Sequence, residues 1–559
     1  MPSPTSQLRR WPTCAQFAHS LDEEDTMKKR ILAAVAGLSA LTLSACGGGG
    51  GAGTSSGDGE PVIDGTLKVA INEDPGNLFR HVNTSATLSY VYPWAYESPV
   101  YFDDSGEPQG WLAEKWEATP TSLSFTIREG ITCEDGSELT AETVANNYRW
   151  ILDPENASSF KGLVVPADAT IDDDAAARTV TVTTKSPNSF LLPQMGIQPI
   201  YCQGALDDPT SVESATNGTG MYSLKKAVPG DHYTFERRDD YSWGPEGAPT
   251  GETPGVPKEV DISIVDNPST RANQLLSGEL NIAAVQGPDE ERVASTLEPF
   301  YQDDLITGGF AYSQAKDAPT ADEDVRIALT EALDLDALMQ VQTAGQGKRA
   351  ERLAVLNPTI CTYDAATPNL PSNDLADAES RLDAAGWKKG SDGKRSKDGQ
   401  PLTLDFGWYT RWPETSSTAE LMAEQWSKIG VGVKHHGTDA GAFLEKINSP
   451  GAAEDFDVIW LASNYSVPNV LATFVSGPVP PKGSNYAGIS NPDFDARAEE
   501  ASQVTGKEAC GSWEKAEAAM YQSADYVPFA VRPDITFGQG VKNSLGQGWT
   551  NVNGITLVE

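Results

Sequence analysis

The chain has 559 residues, 39% of them hydrophobic with 13 tryptophans, so it is too long for one domain and rich enough to bury two or three cores. Its formal net charge of −38 excludes a nucleic-acid partner, because such binding needs clustered positive charge. The same charge favours solubility without specifying a fold.

In chain order, a polar lead (1–26) precedes Met27-Lys28-Lys29-Arg30, a cationic start, and an apolar run at 31–43 (ILAAVAGLSALTL) of secretory-signal length. The run is too short to span a bilayer, which takes about 20 apolar residues. Leu43-Ser44-Ala45-Cys46 resembles a bacterial lipobox, which implies cleavage before Cys46 and acylation of its thiol. A second acyl chain on the new amino terminus would complete a stable anchor, since one chain holds a membrane only marginally. The expected start is therefore Met27, with residues 1–26 a lead outside the true chain, residues 27–45 removed as signal peptide, and the protein lipid-anchored on the extracytoplasmic face of the cell membrane. Residues 46–64 form a Gly/Ser-rich tether. Gly53-Thr54-Ser55-Ser56-Gly57 matches G-x-S-x-G, but a nucleophile elbow needs a strand before it and a helix after it, and a linker supplies neither.

Beyond the tether, Thr66 to Ile71 alternates as a strand and Leu88 to Tyr96 has helical character. The stretch Gly110 to Gly130 reads as a helix-like LAEKW turn, a loop and the strand Leu123 to Arg128. Thr140 caps a helix running through Trp150, with Glu142 suited to its N-terminus. Thr179 to Thr184 is a strand. Helical spacing returns at Val325 to Met339, Ala376 to Ala385, Ser417 to Ile429 and Trp513 to Gln522. Buried-strand character appears at Leu402 to Phe406, Val431 to Lys434 and Phe456 to Leu461. Interleaved helices and strands predict an α/β architecture. Glycines 130, 136, 218 and 220 are expected at positive φ, and Arg128 and Arg326 are expected to hold ion pairs. With Cys14 and Cys46 set aside, Cys133, Cys202, Cys361 and Cys510 predict two disulfides, with three pairings open.

The segments Trp111 to Trp116, Phe125 to Gly130, Asp135-Gly136 and Leu139 to Val144 resemble one continuous block. Asn217 to Tyr222, Arg271 to Leu280, Asp324 to Leu329, Leu382 to Trp387, Trp426 to Val431 and Asn485 to Gly488 follow in the same order. This ordered set is the signature of family 5 extracellular solute-binding proteins, the dipeptide, oligopeptide and nickel group that serves ABC importers. The resemblance implies a two-lobed clamp of the periplasmic-binding type with an extra subdomain. The first lobe would hold residues 65–97, 217–285 and 529–559, with a subdomain at 98–216; the second lobe would be 286–528. It also implies a monomer that delivers a small solute to a permease with ATPase subunits and catalyses no reaction. Cys133 then shares the subdomain with Cys202, and Cys361 shares the second lobe with Cys510. Bridges within a lobe leave hinge motion free, so these two pairings are expected.

In dipeptide-binding relatives an arginine pairs with the ligand carboxylate, and Arg411 stands in the similar place. A guanidinium fork matches a carboxylate bidentately. The aspartate that holds the ligand ammonium in those relatives is replaced here by Val467, just before Pro468, which argues against a free-amine dipeptide and for a longer or blocked peptide or another solute with apolar or aromatic parts. Trp408, Tyr409, Trp412, Trp460 and Tyr465 are the candidate aromatic lining. No cofactor is expected. Adjacent His435 and His436 on a strand point to opposite faces, so no metal site is expected there. The competing readings are a non-peptide solute such as a sugar or metal complex, a solute sensor, and a secreted acid hydrolase. No HExxH, supported G-x-S-x-G or P-loop favours the last.

Overall fold

The computed structural model describes residues 59–410, 412–546 and 548–559. The signal segment, Cys46, the G-x-S-x-G match and Arg411 lie outside the described residues. Within them, a ten-stranded mixed sheet runs in the order Gly432–Thr438, Thr403–Tyr409, Val458–Trp460, Pro299–Tyr312, Tyr526–Gly538, Ile282–Ala284, Thr66–Ile71, Glu259–Ile264, His232–Arg237 and Tyr222–Val228. The fold is α/β, as expected. Thr66–Ile71 pairs in parallel with Glu259–Ile264 and Ile282–Ala284. Leu67, Val69 and Ile71 enter one core cluster and Ala70 another, which is why this strand is apolar on both faces.

Two long strands join the halves of the sheet. Pro299–Tyr312 and Tyr526–Gly538 pair antiparallel from Pro299 opposite Phe537 to Ala311 opposite Tyr526, with register shifts near Gly308. The lobe boundary expected at 529 falls inside the second of them. A Cβ at Gly308 would meet the Phe529 ring, and one at Gly309 would meet the Tyr526 hydroxyl, so this crossing needs glycine for close approach.

A separate four-stranded antiparallel sheet contains Ala113–Thr119, Ser122–Ile127, Thr179–Thr183 and Thr170–Asp174. The LAEKW stretch expected as a turn of helix is therefore a strand. Trp116 pairs with Phe125 and Ala118 with Leu123, so the hairpin ladder overrides the local helical propensity. The helix Ala141–Leu152 covers this sheet, and its N-cap Thr140 accepts the Thr143 backbone N–H at 3.1 Å. Helical character at Leu88 to Tyr96 resolves into two 3₁₀ turns, Ala86–Tyr90 and Tyr92–Trp94, and Pro93 lies inside the second. The expected helix Val325 to Met339 is two helices, Glu323–Glu331 and Leu335–Gln342.

Gly130 and Gly136 adopt positive φ, but Gly218 and Gly220 do not. A Cβ on Gly218 or Gly220 would strike the Ala95 backbone, so close packing is the requirement there. Asn217 donates to Asp135 at 2.9 Å, and the Gly218 N–H donates to Glu134 at 3.3 Å, which brings two of the sequence motifs together. Arg128 donates to the carbonyl oxygens of Gly110 and Gly244 and holds no ion pair among the described residues. Arg326 does, with Asp525 at 3.0 Å. Both disulfides form in the expected pairing, Cys133 with Cys202 and Cys361 with Cys510.

Candidate functional site

Residues 98–216 meet residues 286–528 along a seam. Ser189 is its polar centre: its hydroxyl donates to the Ala501 carbonyl at 2.8 Å and accepts the Trp513 indole N–H at 3.2 Å, and its carbonyl accepts the Gly506 N–H at 2.6 Å. Asn469 donates to Asn188 at 3.0 Å and to Gln194 at 3.2 Å.

Further along, Arg80 lies in the loop after the first strand. Its backbone N–H donates to the Tyr201 hydroxyl at 2.7 Å, and its Nη1 donates to the Asn83 carbonyl at 2.6 Å. The guanidinium sits 4.3 Å over the Phe160 ring, in cation–π range. Among the described residues it has no carboxylate partner. The neighbouring His81 anchors this loop in the core, 2.9 Å from Asn147 and packed edge-on to Phe79 and Tyr201. Burial pushes the His81 imidazole down to about 4, so it is neutral and leaves Arg80 as the local charge.

Burial raises the hydroxyls of Tyr92 and Tyr465, and in each case the Arg80 guanidinium opposes the rise. Tyr465 stacks on Phe474 with centroids 5.9 Å apart, and Phe474 stacks on Tyr486 at 5.7 Å. Val467, 3% exposed, is the N-cap of the helix Pro468–Val475 and offers it no side-chain cap. The arrangement is a cation and a set of aromatic faces with an apolar floor, suited to a solute carrying an anionic group and apolar or aromatic parts.

The residues expected from the sequence divide among three environments. Tyr465 and Val467 border the seam, and Tyr409 packs on Phe443 at 5.2 Å on the same side of the sheet. Trp408, one residue along the strand from Tyr409, packs against Gly437 toward the opposite face. Trp460 lies in the core of that face, 1% exposed, stacked 6.4 Å from Phe406 and edge-on to Phe529 at 5.6 Å. Trp412 borders a small recess shared with Thr307, Arg532 and Asp534. Arg80, Tyr92 and Phe160 were absent from the sequence expectation, since no motif or periodicity marks a loop arginine.

His435 and His436 sit on the edge strand, where the His436 ring is 2.7 Å from Asp405. An open surface recess of about 410 Å³ lies beside it, floored by Phe443 and Phe456 and edged by the Lys446–Asp455 ion pair. Among the described residues no group of three His, Cys, Asp or Glu side chains is placed to hold a metal.

Residues 107–479 match the family described as bacterial extracellular solute-binding proteins, family 5 middle. The chain is 23% identical over 505 residues to the oligopeptide-binding protein OppA of Bacillus subtilis (strain 168), covering 84% of this chain and 87% of that one. Among solved structures, a substrate binding protein from Microbacterium hydrocarbonoxydans complexed with 4-hydroxybenzoate hydrazide aligns with a TM-score of 0.67 at 23% identity, covering 88% of this chain and all of that one. The oligopeptide-binding protein AppA of Bacillus subtilis, in complex with a nonapeptide, aligns with a TM-score of 0.67 at 18% identity over 89% of this chain and 100% of that one. The ordered motifs, the joined sheet and these likenesses agree, and the chain belongs to the bacterial extracellular solute-binding proteins of family 5.

Proposed function

We propose that this protein is lipid-anchored through Cys46, captures a peptide or peptide-like solute at the seam between two lobes, and delivers it to an ABC permease whose ATPase subunits drive uptake. No bond is broken in this cycle. Solute that prefers the closed arrangement shifts the hinge equilibrium toward it, by no more than its difference in affinity for the two states. The observation that carries the ligand reading is Arg80: a guanidinium with no carboxylate partner among the described residues, set 4.3 Å over the Phe160 ring. It supports recognition of a terminal carboxylate. Val467, buried and apolar, supports a longer or blocked peptide over a free-amine dipeptide. Relatives that bind a nonapeptide and a small aromatic hydrazide illustrate how far ligands differ on this fold.

The test is native mass spectrometry of the purified body from Gly65 onward for co-purified solute, followed by thermal shift with matched free-amine and N-acetylated peptides. Stabilisation by peptides, with acetylation tolerated, is the expected result. Failure of every peptide alongside stabilisation by a sugar or metal complex overturns the peptide reading.

A further inference from the structure

Asp303 and Asp534 stand directly opposite each other on the two long strands that join the halves of the sheet. Like charges facing across neighbouring strands are unfavourable unless a cation lies between them. No described cation does so. Lys348 pairs with Asp304 at 2.7 Å, while Arg532 pairs with Glu290 at 3.0 Å and donates to Gln346 at 2.9 Å. Arg271 directs its donors at the carbonyl oxygens of Ala284, Val265 and Asp266. Among the described residues the donors to the two carboxylates are neutral: Gln286 to Asp534 at 2.7 Å, and the Tyr301 hydroxyl at 3.1 Å and the backbone N–H groups of Asn357 at 2.9 Å and Asp304 at 3.1 Å to Asp303.

A second feature of the same place is independent of the charges. Thr307 is 1% exposed and its hydroxyl has no hydrogen-bond partner among the described residues. It lines the recess that Asp534, Gln286, Trp412 and Arg532 also border, the Arg532 guanidinium being held by Glu290 and Gln346. A buried hydroxyl left without a partner is destabilising, and an incoming polar group would satisfy it. Tyr90 borders the carboxylates from the first-lobe side: burial and the charges of Asp534 and Asp303 hold its hydroxyl protonated, available as a neutral donor. In this structure the recess has no room for a water molecule, so anything that fills it requires its lining to rearrange.

Building on the solute-binding reading above, we propose that Asp303, Asp534 and Thr307 form a subsite for a cationic side arm of the solute, an ammonium or guanidinium, supplying the counter-charge that Val467 cannot. A cation between the carboxylates relieves their repulsion, and the net charge of −38 draws such solutes to the surface.

Two N-acetylated tripeptides that differ only in a central lysine or norleucine, together with agmatine, test this by calorimetric titration of the whole body. The lysine peptide should bind at least about tenfold more tightly, a difference of about 1.4 kcal/mol. Asp303→Asn and Asp534→Asn should abolish that advantage while leaving norleucine-peptide affinity unchanged. Both variants should melt at or above the unliganded parent, because each removes a like charge; a purely structural role would lower the melting point. Equal affinities for the two peptides, or an advantage that survives in the variants, overturn the subsite and leave the peptide reading standing. Agmatine binding that the variants lose, with neither peptide bound, upholds the subsite and overturns the peptide reading. Binding of none of the three overturns the subsite.

Discussion

Tyr241 donates its hydroxyl to the buried carboxyl of Glu97 at 2.5 Å, and around that carboxyl converge the Thr219 hydroxyl at 2.9 Å, the Trp243 indole at 3.0 Å and the Asn553 amide at 3.4 Å. One side chain thus ties three separate passages of the chain together. Burial outweighs these donors and pushes Glu97 up to about 7. A carboxyl whose folded value exceeds its unfolded value of 4.5 stabilises the fold fully below that value, and the contribution is lost as pH rises through 7. Glu134 and Glu517, also pushed up to about 7, act in the same direction, while His81, pushed down to about 4, opposes them below pH 6.5. The melting temperature should therefore rise as pH falls from 8 toward 6. Glu97→Gln should flatten that rise, and an unchanged slope in the variant would refute the assignment. Glu97→Ala, which strands the donors, should cost about 1–3 kcal/mol.

Trp460 and Tyr465 are close in sequence but should fail in different ways. Trp460→Ala removes a ring enclosed by Phe406 and Phe529 and should lower stability by about 3–5 kcal/mol. Tyr465→Ala at the seam should weaken solute binding with a smaller loss of stability. Denaturant midpoints measured beside titration of a stabilising peptide separate the two effects, and a binding defect in Trp460→Phe at full stability would place that ring in the site after all.

Arg80→Ala should reduce affinity for a carboxylate-bearing solute by about 1.5–3 kcal/mol, the usual value of a hydrogen bond to a charged group. Arg80→Lys should recover only part of it, because an ammonium lacks the planar fork. The same solute with its carboxylate amidated should bind the parent and Arg80→Ala equally. A large residual preference for the free acid in Arg80→Ala would assign the carboxylate to another cation.

The Cys361–Cys510 bridge closes a separation of 149 residues, and close to it Glu517 accepts from Tyr363 at 2.6 Å, Tyr521 at 2.9 Å and the Leu353 N–H at 3.0 Å. Replacing both cysteines by serine should lower stability by about 4–5 kcal/mol on the loop-entropy account. The Cys133–Cys202 pair, with a separation of 69, should show a slightly smaller effect. Urea midpoints of the two double variants test the order, and equal or reversed losses would point to strain or residual unfolded-state structure in place of loop entropy.

The sequence by itself determined the class of fold and the family, because both are written in short-range patterns. Alternation marked Thr66–Ile71 and Thr179–Thr183, a threonine cap marked the start of Ala141–Leu152, and the ordered motifs carried the resemblance and with it the disulfide pairing. Tertiary structure decided what local pattern leaves open. Hairpin pairing made a strand of LAEKW. The close passage of Ala95 explained two glycines that local turn chemistry could not. Which face of a strand meets the core is set by its neighbours, so Trp408 and Tyr409, adjacent in the chain, part company across the sheet. The site residues that sequence reading missed share one cause. Arg80 gains its meaning from Phe160 and Tyr465, and Asp303 from its register opposite Asp534. A charge becomes informative only when the fold removes or supplies its partner, and that happens between segments far apart in the chain.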